Sequence, residues 1–133
     1  MSFALAQNYV GLPYVAGQFD CADLAVRVQN ELFGKNIALP SSHRLGTRGH
    51  YVQINALKNE LATRIDLPVH GCGALMTQYT GKEILWHIGT VFLDEVEEVW
   101  ILHNSRLQKG AALQRLGLMR RSGFRVEGWY AWK

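Results

Sequence analysis

The sequence predicts an α+β domain in which N-terminal helices pack on a C-terminal antiparallel β-sheet. Helical signals come first, whereas after Pro68 the apolar residues follow strand-like patterns. This order, with helices before strands, is typical of α+β folds. A chain of 133 residues with 48% hydrophobic residues has room for one core. We therefore expect a single domain over residues 1–133.

The first ten residues predict a short amphipathic helix that ends at Gly11-Leu12-Pro13, because a proline disfavours helical geometry at the residue before it. A second helix is predicted over residues 21–33, with Asp20 as its N-cap and Gly34 as its stop signal. A loop is expected over residues 40–49 and a third helix over residues 51–62.

The apolar spacing of the second helix puts its cysteine on the face that points toward the core. The residues that share this face, at intervals of three, four, seven and eleven positions, are Cys21, Leu24, Ala25, Val28 and Leu32.

Four extended segments follow the helices. Their residues are rich in β-branched and aromatic types and are separated by turn-forming residues. The predicted strands cover residues 73–79, 84–92, 99–104 and 124–132.

Charge and hydropathy exclude several function classes. The formal charge of +3 is a mild basic bias, and the chain has neither a basic helix nor strands that interleave aromatic and basic residues, so no nucleic-acid partner is expected. No apolar run approaches the ~20 residues of a transmembrane helix, so no membrane partner is expected. The N-terminus lacks the basic segment and apolar core of a secretory signal. We expect synthesis in the cytoplasm, without self-directed export.

Two charged segments stand out, and we expect both to be ordinary solvated surface, with a basic rim for an anionic polymer as the alternative. The basic residues are Arg106, Lys109, Arg115, Arg120, Arg121, Arg125 and Lys133, and the acidic residues are Asp94, Glu95, Glu97 and Glu98.

Cys21 is a candidate nucleophile. With Cys72 it makes only two cysteines in the chain, too few for a disulfide scaffold, which favours a reducing site of synthesis. A helix N-terminus lowers a thiol pKa, because unpaired N–H groups and the positive dipole end lie beside the sulfur. The alternative is that Cys21 is a small buried hydrophobic residue.

Two histidines in the strand region are candidate partners for that thiol. A hairpin loop centred on Glu95 would place His87 directly opposite His103, with Cβ atoms ~5 Å apart. One extra loop residue would instead bring Asn104 opposite His87. Either residue could hold the imidazole in the tautomer that a general base requires.

These residues lie in segments that resemble the NlpC/P60 family of cell-wall peptidases. The approach to that family's nucleophile helix is similar to Tyr9-Val10-Gly11-Leu12-Pro13-Tyr14-Val15-Ala16-Gly17 followed by Phe19-Asp20-Cys21-Ala22-Asp23-Leu24. The family's histidine strand is similar to His87-Ile88-Gly89-Thr90-Val91-Phe92, its orienter strand to Ile101-Leu102-His103-Asn104, and its first sheet strand to Gly73-Ala74-Leu75.

The resemblance implies a papain-like fold in which Cys21 is the nucleophile, His87 the base and His103 the residue that orients it. It also implies that the Tyr14 hydroxyl stabilises an oxyanion and that Asp20 binds a substrate amine. The family's Ser-Gly after the cysteine is replaced by Ala22-Asp23. The implied reaction is hydrolysis of an amide bond in a peptidoglycan stem peptide through a thioester, with no metal or cofactor.

The expected setting is a phage tail, or an effector injected into a rival cell, that acts in the periplasm or cell wall. Phage tail or immunity proteins are then candidate partners. The alternatives are a catalytically silent tail or adaptor module of the same fold, and an acyltransferase on the same scaffold. A zinc site built from His70 and Cys72 with His87 or His103 is a further alternative.

Overall fold

The chain forms an α+β structure around one six-stranded antiparallel sheet with the strand order β1-β6-β2-β3-β4-β5. The computed structural model describes residues 2–16, 18–38, 57–79, 81–106 and 108–133. The strands are β1 (Ala62–Ile65), β2 (Gly73–Tyr79), β3 (Ile84–Leu93), β4 (Val99–Ser105), β5 (Gly110–Arg115) and β6 (Phe124–Trp132). The four predicted strands correspond to β2, β3, β4 and β6, which confirms them to within one residue at each end.

The helices are short except for one. They are α1 (Ser2–Ala6), which continues as a 3₁₀ turn (Gln7–Tyr9), α2 (Cys21–Leu32), a π-helical turn (Leu57–Leu61) and α3 (Leu116–Arg121). None of the helices in the described ranges is long and apolar enough to cross a membrane.

Helix α2 begins at Cys21 because Asp20 caps it. The Asp20 carboxylate accepts hydrogen bonds from the backbone N–H groups of Ala22 and Asp23, and the Asp23 carboxylate accepts one from the backbone N–H of Asp20. Such a reciprocal box satisfies N–H groups that have no partner within the helix. The predicted start of this helix is confirmed.

Other elements differ from the prediction. The predicted loop over residues 40–49 lies outside the described residues, as does the first half of the predicted third helix. The described remainder is the π-helical turn, and Ala62, the expected helix end, already belongs to β1. Strand β5 and helix α3 were not predicted, and α3 breaks the expected order because it lies between β5 and β6.

The predicted register of the β3–β4 hairpin is wrong by two positions. Gly89 pairs with His103, so the turn is centred on Val96, and neither His103 nor Asn104 lies directly opposite His87. Because strand side chains alternate between faces, a shift of two positions leaves His103 on the face that His87 occupies. A shift of one would have moved it to the other face.

The buried side chains distinguish the two faces of the sheet. Cys21 of α2 shares a buried cluster with Ile88, and other α2 residues share a second cluster with Phe92. A third cluster, which contains no α2 residue, includes Val91. By strand alternation, Ile88 and Phe92 point toward the α2 side, whereas Val91 and His87 point to the opposite side.

Candidate active site

The Cys21 thiol is held at the first residue of α2 and is nearly enclosed, with 7% of the residue exposed. Its sulfur accepts a hydrogen bond from the backbone N–H of Ile88, and the N–H of Ala22, which donates to the Asp20 carboxylate, also lies beside it. One of these N–H groups therefore belongs to the helix N-terminus and the other to β3.

Cys21 lies where β3 and β4 separate. Backbone pairing between these strands stops at Gly89. Val91 exchanges backbone hydrogen bonds with the segment that leads into β2. Because the backbone groups of successive strand residues point to opposite sides, Ile88, three residues earlier, directs its N–H toward β4. The sulfur therefore accepts the hydrogen bond that a backbone carbonyl of β4 would otherwise accept. The Ile88 nitrogen that donates it is joined to the Cα atom of His87 through a single carbonyl carbon.

The pKa of the Cys21 thiol is raised to about 12, mainly by burial and secondly by the Asp20 carboxylate, against the opposing effect of the N–H donors of Ile88 and Ala22. The sequence-based expectation of a lowered pKa is therefore wrong for this state of the protein. The helix N-terminus acts in the expected direction, but desolvation of a charged sulfur outweighs it. The thiol is neutral at physiological pH.

The two predicted histidines are in contact. Nε2 of His87 lies 2.8 Å from Nδ1 of His103, and the ring centroids are 4.9 Å apart with the rings nearly perpendicular. Phe124 of β6 packs against the His87 ring at 5.1 Å. His103 is buried, with 1% exposed, and burial lowers the pKa of its imidazole.

Small residues explain how the imidazoles meet although they are not directly opposed. His103 is paired with Gly89 on β3 and with Ala112 on β5. Diagonal neighbours across a sheet are within reach of long side chains. A Cβ atom on Gly89 would lie 3.2 Å from the Cβ atom of His103 and 2.5 Å from Cγ2 of Ile101. A bare glycine therefore leaves the space through which His103 reaches His87.

Asn104, the alternative orienting residue, makes its hydrogen bonds elsewhere, to the segment that precedes α2. Its side-chain amide is buried and donates toward the backbone carbonyls of Phe19 at 3.0 Å, and of Pro13 and Asp20 at 3.4 Å each. It ties β4 to the segment that precedes α2. Of the two candidates, His103 is the one that contacts the His87 imidazole.

Tyr14 lies beside the thiol. Burial raises the pKa of its phenol, as do the nearby Cys21 and Asp20, while a hydrogen bond from Arg106 lowers it. The guanidinium carbon of Arg106 is 5.7 Å from the centroid of the Tyr14 ring. Tyr14 is therefore protonated at neutral pH and can donate its hydroxyl hydrogen.

The residues of the zinc alternative are not gathered together. Nδ1 of His70 accepts a hydrogen bond from the backbone N–H of Leu93 at 2.9 Å, and the ring packs edge-on against Phe92. Within the described ranges, no group of three or more His, Cys, Asp or Glu residues could hold a metal ion.

The charged segments partly neutralise each other. Glu98 and Arg115 form an ion pair at 3.0 Å. Asp94 stabilises the β3–β4 turn, since its carboxylate accepts hydrogen bonds from the backbone N–H groups of Val96 and Glu98 and from the Trp100 indole.

Two residues near the site were not singled out from the sequence. Oε1 of Gln114 accepts a hydrogen bond at 2.7 Å from Nε2 of His103, but Gln114 lies on β5, a strand with only weak alternation of apolar and polar residues. Arg106 was assigned to the basic surface, although its position directly after the His103 strand could have indicated it.

Comparisons with known proteins found no relative: no family model, no curated protein and no solved structure matches the chain.

Proposed function

We propose that the protein is a cysteine hydrolase with a papain-like NlpC/P60 fold that cleaves an amide bond in peptidoglycan stem peptides. The observation that carries the proposal is that the Cys21 sulfur lies at the backbone of the strand that carries His87, and that the His87 ring is held by His103. The Cys21 sulfur accepts the Ile88 N–H, and His87, the residue directly before Ile88, is in turn held by His103 at 2.8 Å. A thiol, a base and a group that holds the base are what nucleophilic catalysis requires.

The neutral thiol determines how the reaction begins. As the sulfur attacks the amide carbon, His87 removes the S–H proton across the β3 backbone, at a point where pairing with β4 has ended. Charge therefore does not accumulate on a buried sulfur before the bond forms. The carbonyl oxygen becomes an oxyanion, which in this proposal is stabilised by the Cys21 backbone N–H and the Tyr14 hydroxyl.

The second half of the reaction uses the proton that His87 has taken. His87 transfers it to the leaving nitrogen, the C–N bond breaks and a thioester remains on Cys21. A water molecule then loses a proton to His87 and attacks the thioester carbon. The thiolate leaves and takes the proton back from His87, which restores the starting state.

The substrate follows from the resemblance and from the charges near the thiol. The buried Asp20 carboxylate is suited to a substrate amine, and the exposed Arg106 beside Tyr14 is suited to a substrate carboxylate. Stem peptides carry both groups. The proposed setting is a phage tail or an injected effector that acts on the cell wall.

The test is digestion of purified peptidoglycan, with products identified by mass spectrometry. We expect the wild-type protein to release peptides cut at one defined amide bond. Cys21→Ala and His87→Ala should each lower the rate by at least about 10³-fold, because each removes one reacting group. Cys72→Ala is the matched control: Cys72 is buried in the cluster without α2 residues, so that variant should retain activity.

A silent wall-binding module is the second candidate, and the enclosed thiol favours it. A cysteine residue with only 7% of its surface exposed and a thiol pKa of about 12 is also typical of a purely structural cysteine. If the wild-type protein sediments with insoluble peptidoglycan but releases no peptide from several wall types, this function replaces hydrolysis.

A further inference from the structure

Three polar side chains form a continuous hydrogen-bonded row across three strands. His87 of β3 contacts His103 of β4 at 2.8 Å, and the other ring nitrogen of His103 contacts Oε1 of Gln114 of β5 at 2.7 Å. Gln114 pairs with Ile101, which is two residues from His103, so both links are diagonal and lie on the same face of the sheet.

The row fixes where the protons are. The Oε1 atom of Gln114 can only accept a hydrogen bond, so Nε2 of His103 must carry a proton. His103 is buried and neutral, which leaves its Nδ1 as an acceptor. Nε2 of His87 must then donate to that acceptor, and the lone pair of a neutral His87 lies on Nδ1.

This tautomer puts the lone pair on Nδ1, the imidazole nitrogen nearer to the β3 backbone. The Cys21 sulfur is bound to that backbone at the N–H of the next residue, Ile88. Because the His87 ring leaves the strand on the face opposite α2, the proton passes along the part of β3 beyond Gly89 that β4 does not pair with. In the opposite tautomer the Nδ1 position would carry a proton, and the lone pair would point toward His103. Such a His87 could not accept the proton of the thiol.

We propose that Gln114 is a positioning residue that sets the tautomer of His87 through His103. The inference rests on the proposed function, since it treats His87 as the base toward Cys21. Gln114 touches neither thiol nor substrate. Its effect passes through two hydrogen bonds, and it lies outside every segment on which the family resemblance rests.

Two substitutions test the proposal in opposite ways. Gln114→Met keeps the length of the side chain and removes the acceptor. Gln114→Lys supplies only donors, so it should force the lone pair of His103 onto Nε2 and reverse both tautomers. Gln78→Met is the matched control, because Gln78 lies near the end of β2 and its amide bonds the backbone carbonyl of Ser122.

The readout is long-range ¹H–¹⁵N correlation NMR of the imidazole nitrogens, which reports tautomers without any substrate. We expect the Nε2–H form of both histidines in wild type and Gln78→Met, a mixture of forms in Gln114→Met, and the Nδ1–H form in Gln114→Lys. Gln114→Met should also lower kcat/KM about tenfold, in line with the net worth of one hydrogen bond, and Gln114→Lys should lower it further.

The outcomes separate this inference from the proposed function. If wild type cuts no wall peptide but the tautomers respond as described, the function is wrong and the tautomer control stands. If the wild-type protein cuts wall peptides and both Gln114 variants have the same histidine tautomers as the wild type, Gln114 does not determine the tautomers and the inference is overturned. A lone pair on Nε2 of His87 in wild type would overturn it as well.

Discussion

The protonation state of Cys21 gives the sharpest prediction, and it can be read from the pH dependence of alkylation by iodoacetamide. Only the thiolate reacts, so the rate follows the thiolate fraction. The pKa of the Cys21 thiol is about 12, against an ordinary value of 9.0. At any pH below 9 the thiolate fraction, and with it the rate, should be about 10³-fold lower than for an ordinary thiol.

The assay uses the Cys72→Ala background, so that Cys21 is the only cysteine modified. Between about pH 6 and pH 10 the logarithm of the rate should rise with a slope of one and reach no plateau. Restricted access also slows the reaction, but it scales the rate equally at every pH. The pH dependence therefore separates ionisation from exposure.

Asp20→Asn supplies the perturbation. Asparagine is as good an N-cap as aspartate, so α2 should keep its start while the second largest cause of the raised pKa is removed. Alkylation should become faster at each pH, since the thiolate is no longer opposed by a carboxylate. Asp23→Asn should act in the same direction but less, because Asp23 is the weakest of the causes.

Two results would refute this reasoning. A rate plateau below about pH 7 in wild type would mean that a thiolate already exists there, stabilised as an ion pair with the imidazolium of His87. An Asp20→Asn variant that is no more reactive than wild type would mean that the carboxylate does not act on the sulfur.

Three further predictions concern the framework of the site. Gly89→Ala would bring a Cβ atom to 2.5 Å from a methyl carbon of β4, so urea unfolding should show a loss of about 1–3 kcal/mol, whereas Gly117→Ala, where nothing lies within 4 Å, should not destabilise. Asn104→Ala leaves buried carbonyls without their donor and should cost about 1–3 kcal/mol in the same assay; an unchanged midpoint would contradict its role in holding the segment before α2. The hydrogen bond from Trp100 is the main cause of the lowered pKa of Asp94. The ionised Asp94 carboxylate therefore contributes to stability above pH 3.8, and this contribution is lost as the pH falls through the folded-state pKa. Asp94→Asn should make the free energy of unfolding less dependent on pH in this acid range.

Much of the fold could be predicted because its signals are local. The N-terminal cap of α2 and the alternation in β2, β3, β4 and β6 involve neighbouring residues, and these elements were found nearly at their observed bounds. β1 was not predicted, and its first residue, Ala62, was assigned to a helix. Four residues give little alternation, and the pairing partner of β1, β6, lies more than sixty positions further along the chain. Strand pairing of that kind depends on contacts that no local pattern contains.

In the candidate site, too, features set by local sequence could be predicted, whereas features set by contacts between distant residues could not. The sequence placed Cys21 at a helix start and His87 and His103 on neighbouring strands, as observed. The pKa of Cys21 was wrong because the degree of burial around a sulfur is a property of the packed molecule and outweighs the local dipole. Gln114 was missed because its link to His103 crosses between strands and requires β5 to be known.

The turn between β3 and β4 has an unexpected chemical significance. If the turn took one more residue from the start of β4, each β4 side chain would change to the other side of the sheet, so Asn104 would take the place of His103 and the row toward Gln114 would be cut. If the turn took two residues, His103 would move along the same side. The parity of the loop, more than its composition, thus decides whether an imidazole has a partner.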